Sequence, residues 1–168
     1  MRKIFLFLSV VILVLSAGLF AADASQIEDL KQKQSLGFDL NGNQVIYRVW
    51  ANQNVGLDLS AGFSMNGSNS MVSVGAGMVS ALVEKDSFAV NIIPGLKFGY
   101  ATGSSDLTLV GGAALEFMAV LSAISKDLSV SSQVGAYIGI SSTNNQTNLL
   151  IAAAKDFAIS PVIIRYYF

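Results

Sequence analysis

Six charged residues fall within strand-like stretches of this chain: Asp39, Arg48, Asp58, Lys97, Glu116 and Arg165. They are the side chains that could do chemistry, as a proton or ion path or as a set of salt bridges. Other chemistries are thinly supplied. The chain has no histidine, the commonest general base and metal ligand. It has no cysteine, so disulfides, thiolate metal sites and thiol nucleophiles are excluded, as is an acylated cysteine after an export signal. Serines are plentiful, but none has a plausible activator beside it. Gly75-Ala76-Gly77 and Gly111-Gly112 lack the lysine and following helix of a phosphate loop and read as close-packing positions. A net charge of −1 gives no electrostatic case for nucleic acid. The expectation is a protein without catalysis, cofactor or metal.

The six charges divide into three acids and three bases, and all fall on the same alternate face of their strands. An enclosed face of this kind requires pairing, because a lone buried charge costs far more than a paired one. Arg48 and Asp58 lie at matching positions across the Asn52-Gln53-Asn54 turn. Arg165 and Asp39 become neighbours if the last strand closes on the first. Lys97 and Glu116 lie on adjacent strands. Balanced charge in a narrow interior favours a salt-bridge plug over a conducting path.

The elements that must position these groups are strands. Met1-Arg2-Lys3, an apolar run from Ile4 to Phe20 and small residues at Ala22 and Ala24 read as a secretory signal peptide over residues 1–24. A short polar lead-in, 25–34, follows. Ile27 and Leu30 give it only a thin apolar face, too little for a firm plug assignment. From residue 35 to 168 the chain alternates with period two. Leu36, Phe38 and Leu40 share a face, then Asn41-Gly42 marks a type I′ hairpin. Strands follow at about 44–50, 55–63, 72–82, 88–100, 107–121 and 128–140. Turns are expected at Asn52–Asn54, Met65–Ser70, Lys85-Asp86, Thr102–Ser105, Lys126-Asp127 and Ser142–Asn148. Pro94 implies a bulge or ladder break within its strand. Leu149–Ser160 reads as a loop or an extension of the last strand, which keeps the count at eight and not nine.

Only 12% of residues are charged, against about a quarter in ordinary soluble domains. A water-facing surface needs more polar material; a lipid-facing one does not. The fold expected is all-β: a closed eight-stranded antiparallel up-and-down transmembrane β-barrel. Closure follows from the cost of open strand edges in hydrocarbon. The alternative of a soluble lipocalin-like barrel would turn the apolar face inward.

The chain ends Pro161-Val162-Ile163-Ile164-Arg165-Tyr166-Tyr167-Phe168. With the signal peptide, the eight alternating strands, and Tyr47-Arg48-Val49-Trp50 followed by Asn54-Val55-Gly56-Leu57-Asp58, this resembles the small outer-membrane β-barrel proteins of Gram-negative bacteria, the OmpA/OmpX-like class. The resemblance implies residence in the cell outer membrane among its lipids. It also implies that Val162, Ile164, Tyr166 and Phe168 form the signal read by the barrel-assembly machinery. It implies a structural or interaction role as a monomer. A narrow channel for small or apolar solutes is the alternative, and a surface adhesin a weaker one given the short loops. The larger members of that class carry a peptidoglycan-binding domain; the expectation here is a barrel without one.

Overall fold

The structure is a computed structural model that describes residues 26–40, 43–66, 69–102, 106–143, 146–153 and 159–168. The stretch 1–24 read as a signal peptide and the Asn41-Gly42 pair read as a hairpin turn lie outside the described residues. A six-residue helix α1 (Gln26–Lys31) precedes nine strands. These are β1 (Ser35–Asp39), β2 (Gln44–Trp50), β3 (Val55–Asn66), β4 (Asn69–Lys85) and β5 (Phe88–Ala101), then β6 (Asp106–Val120), β7 (Leu128–Thr143), β8 (Gln146–Ala153) and β9 (Ile159–Tyr167). No described helix is long and apolar enough to cross a membrane.

Consecutive strands pair antiparallel from β1 to β7, and β9 lies between β7 and β1. The sheet therefore closes as an up-and-down barrel of eight staves. The eighth stave is made in two pieces. β8 pairs with the upper part of β7, ending opposite Ala136, and β9 takes over opposite Val134. Leu149–Ala153 thus extends the last stave, and the count of eight holds; residues 154–158 lie outside the described set.

The ladders fix how far the staves are staggered. Stepping from Leu36 through β2 to β7 leads to Ile138; stepping the other way, through β9, leads to Leu128, ten residues lower on the same strand. For eight strands such a stagger tilts the staves by roughly 40° and leaves an interior just wide enough for side chains. It also raises a ladder by about 1.25 residues of level per stave.

Two loops expected from their polar residues are largely strand. β3 and β4 run to Asn66 and from Asn69, and β7 and β8 run to Thr143 and from Gln146. Serine, threonine and asparagine are compatible with a ladder when their backbone groups pair across it. Asn52 makes the turn that was expected of it: its side-chain oxygen accepts the N–H groups of Asn54 and Val55 at 2.8 and 2.9 Å. Asp86 turns β4 into β5 with a φ of 48°. Pro94 interrupts the β4–β5 ladder, which skips from Gly77–Gly95 to Ser80–Ile92; the bulge lies farther on, between Ala81 and Val83.

The helix sits at the end of the barrel where the β2–β3, β4–β5 and β6–β7 turns gather, here called the proximal end. Ile27 and Leu30 are buried against Ala89, Met118, Val120 and Tyr167. The thin apolar face suffices because the target is a ring of inward side chains only a few residues across. Lys31 pairs with Glu84 and donates to the Gln53 carbonyl, and Lys33 pairs with Asp127. The Ile27 N–H bonds the Asp86 carbonyl at 3.3 Å.

Candidate functional site

Period-two alternation places Asp39, Arg48, Asp58, Lys97, Glu116 and Arg165 on the inner face, with Leu36, Val45, Leu57, Leu96, Leu115 and Ile164 exposed outside. Arg48 faces Asp58 directly across the β2–β3 ladder. Its guanidinium forms a two-pronged contact, Nε to Oδ1 at 2.6 Å and Nη2 to Oδ2 at 2.7 Å. The expected Arg48–Asp58 pair is present.

The other two pairs form differently. Arg165 stands opposite Gly37, while Asp39 stands opposite Ile163. Arg165 turns from β1 toward the axis, where Nη1 lies 2.6 Å from Glu116 Oε1 and 2.7 Å from Ser131 Oγ, and Nη2 lies 3.6 Å from Asp58 Oδ2. Glu116 is level with Asn91 on β5, not with Lys97, which stands opposite Val110. Lys97 stands on β5, across the barrel from β1, which carries Asp39.

Glu116 is the hub. One oxygen accepts from Arg48 at 2.8 Å and Asn91 at 2.9 Å; the other accepts from Arg165 and from Ser131 at 3.0 Å. β6 and β2 lie on opposite sides of the barrel. The stagger brings Glu116, Arg48, Asp58 and Arg165 to nearly the same level although they come from four separate staves. Ladder neighbours alone do not reveal this. The missed signal was the inward parity of Asn91 and Ser131, which mark the level of the charges on β5 and β7.

Two arginines and two carboxylates sum to zero, and Arg48, Glu116 and Arg165 are wholly buried. The layer is closed on both sides. Above it lie Ile46, Ile93 and Ile163, none more than 8% exposed. Below it lie Met118 and Tyr167, whose hydroxyl donates to the Met118 sulfur at 3.2 Å, and then α1. Trp50 links helix and charge layer: the Lys31 ammonium lies 5.0 Å and the Arg48 guanidinium 5.8 Å from its ring centre.

Two glycines make room for these large groups. A Cβ at Gly37 would lie 2.7 Å from Arg165 Cγ, so the arginine stem lies across β1 only because that position is bare. A Cβ at Gly56 would meet the Trp50 ring at 3.0 Å. Chemically, the site is a neutral ion cluster: each carboxylate is occupied by guanidinium, while Arg165 Nε and Nη2 and the Asn91 side-chain oxygen are buried without a hydrogen-bond partner. The four terminal residues Val162, Ile164, Tyr166 and Phe168 point outward on β9 and just beyond it, with Tyr166 and Phe168 more than half exposed. No family model, curated protein or solved structure matches the chain.

Proposed function

We propose that this is a non-enzymatic integral outer-membrane β-barrel with a structural or interaction role and a lumen plugged by side chains. The observation that carries the reading is the outer surface. Large apolar side chains cover it from stave to stave, Leu96 at 64% and Ile138 at 58% exposed, while the strand charges named above all turn inward. Soluble monomers rarely expose contiguous apolar patches beyond a few hundred square ångströms. A lipid-facing wall favours such a surface and excludes charge, at about 2–4 kcal/mol for Arg or Lys at the bilayer midplane.

The plug reading is supported by the neutral ion layer, whose Arg48, Glu116 and Arg165 are wholly buried across the lumen. The outward aromatic end of β9 suits recognition by the barrel-assembly machinery. The absence of histidine and cysteine from the sequence supports the reading without catalysis. The narrow channel remains the competing function, and conductance decides between them. The protein refolded in detergent is expected to migrate differently before and after boiling. Inserted into a planar bilayer it is expected to stay electrically silent. Release from cells without detergent would end the membrane reading; steady ion current would end the plugged one.

A further inference from the structure

The barrel wall is not equally tall all the way round. At the distal end the β1–β2 ladder stops at the Asp39–Gln44 rung. Just beyond it, the Leu40 N–H still reaches the Val162 carbonyl at 3.1 Å, and the Phe63 N–H reaches the Asn43 carbonyl at 3.3 Å. The staves on either side run on. β3 continues past the Gln44–Gly62 rung to Asn66, and residues 64–66 pair with β4 alone. On the other side β8 carries the last stave up to Gln146. It stands at the end of the sheet order, with β7 as its one strand partner among the described residues. The result is a notch, two staves wide, above the β1–β2 hairpin.

One side of the notch is an open strand edge eight residues long. In an antiparallel strand every second residue aims its N–H and C=O away from a given neighbour, so about half of β8 presents them to the notch. The edge begins within the oily surface and not above it. Leu149 stands opposite Ile140, which stands opposite Leu109, and all three are exposed. Unpaired backbone groups are costly at a level that faces lipid. Sheet edges are ordinarily covered or paired.

We propose that the free edge of β8 docks one extended, uncharged segment of a partner protein, which adds a strand in the notch. The site rests on the membrane reading above and gives the interaction role a class of partner. Acyl chains have no donors or acceptors, so lipid leaves the edge unpaired. A second copy of the chain fits poorly. Copies in one membrane share an orientation, so the axis that relates a pair runs along the membrane normal. Strands tilted by roughly 40° then cross at roughly 80°, too steeply to share a ladder. An extended peptide can lie along β8, where main-chain bonds supply affinity and alternate side chains supply specificity. It must be uncharged beside Leu149, because that level faces lipid.

The test is hydrogen exchange of the refolded full-length barrel in phospholipid vesicles, isolated by flotation and read on the fragment covering β8. The probe is an acetylated octapeptide of alternating valine and threonine. Without it, about half of the β8 amides should exchange well before those of β6, which is paired on both sides. Probe at about nine times its dissociation constant should slow these edge amides about tenfold by simple occupancy. The β6 amides should not change. The same octapeptide methylated along its backbone nitrogens should protect nothing. A barrel that does not float with the vesicles would overturn the membrane reading and the docking site together. In a barrel that floats, three results would overturn the docking site alone. One is slow exchange across all of β8 without probe, which marks cover by the chain itself or, where it grows with protein-to-lipid ratio, by a second copy. The others are exchange unmoved by the probe and equal protection by its methylated form.

Discussion

The two halves of the barrel are made of the same strands and enclosed by the same backbone cylinder, yet one is filled by large side chains and the other is lined mostly by small ones. At the proximal end the inner positions carry Arg48, Trp50, Glu116, Met118, Arg165 and Tyr167, and α1 closes the opening. Toward the distal end many inward positions carry glycine, serine or threonine, among them Ser60, Gly62, Ser73, Gly75, Gly99, Thr108 and Gly139, with Gln44, Lys97, Val110 and Tyr137 as larger side chains. An eight-stranded cylinder is near the limit at which side chains fill the interior. Residue size therefore sets how fully each level is packed. The proximal half holds the interior together through its large side chains.

That contrast sets the size of each expected perturbation. The largest belongs to Glu116→Leu, which strands two buried guanidiniums with one carboxylate between them. A loss of about 3–5 kcal/mol is expected in urea unfolding of the detergent-refolded barrel. The distal counterpart Lys97→Met should cost far less, since its charge is partly solvated; an equal loss would erase the distinction between the halves. Next comes Leu30→Ala in the helix, expected to cost about 2–3 kcal/mol through the emptied contact with Met118 and Tyr167. If stability does not change, the helix is not part of the proximal core.

A double-mutant cycle sharpens the ion layer itself. Arg165 and Glu116 should show a coupling of about 1–3 kcal/mol, and Arg165 and Asp39 distinctly less. The reverse order would restore the pairing expected from strand adjacency. The smallest comparison uses glycines. Gly37→Ala meets the Arg165 stem at 2.7 Å and should cost about 1–3 kcal/mol. Gly99→Ala meets nothing closer than 3.8 Å and should stay within about 0.5 kcal/mol of wild type.

Much of this was legible in the chain because a barrel wall has a strict period of two. The inward parity of all six charges, the Arg48–Asp58 pair across its turn, and the count of eight staves follow from alternation and turn residues. What alternation does not encode is level. Glu116 meets Arg48 across the full width of the lumen because a stagger of ten residues lifts each ladder as it goes round. That stagger becomes countable only when β9 pairs with β1. Strand ends were obscured for another reason. Asn66, Asn69, Ser142 and Thr143 look like loop residues, but their backbone groups complete ladders above the apolar belt. The helix was underread because two apolar residues are a weak signal until the ring they fill is known.

The central claim is that the oily outer rows face acyl chains. The chain contains no cysteine, so single cysteines at Leu36, Leu96 and Leu115 can each carry an environment-sensitive fluorophore in reconstituted vesicles. Brominated acyl chains should quench all three strongly, while the one native tryptophan, Trp50, held between Lys31 and Arg48 inside the barrel, should stay bright. Labels that ignore the bromine and respond instead to a water-soluble quencher would contradict the account.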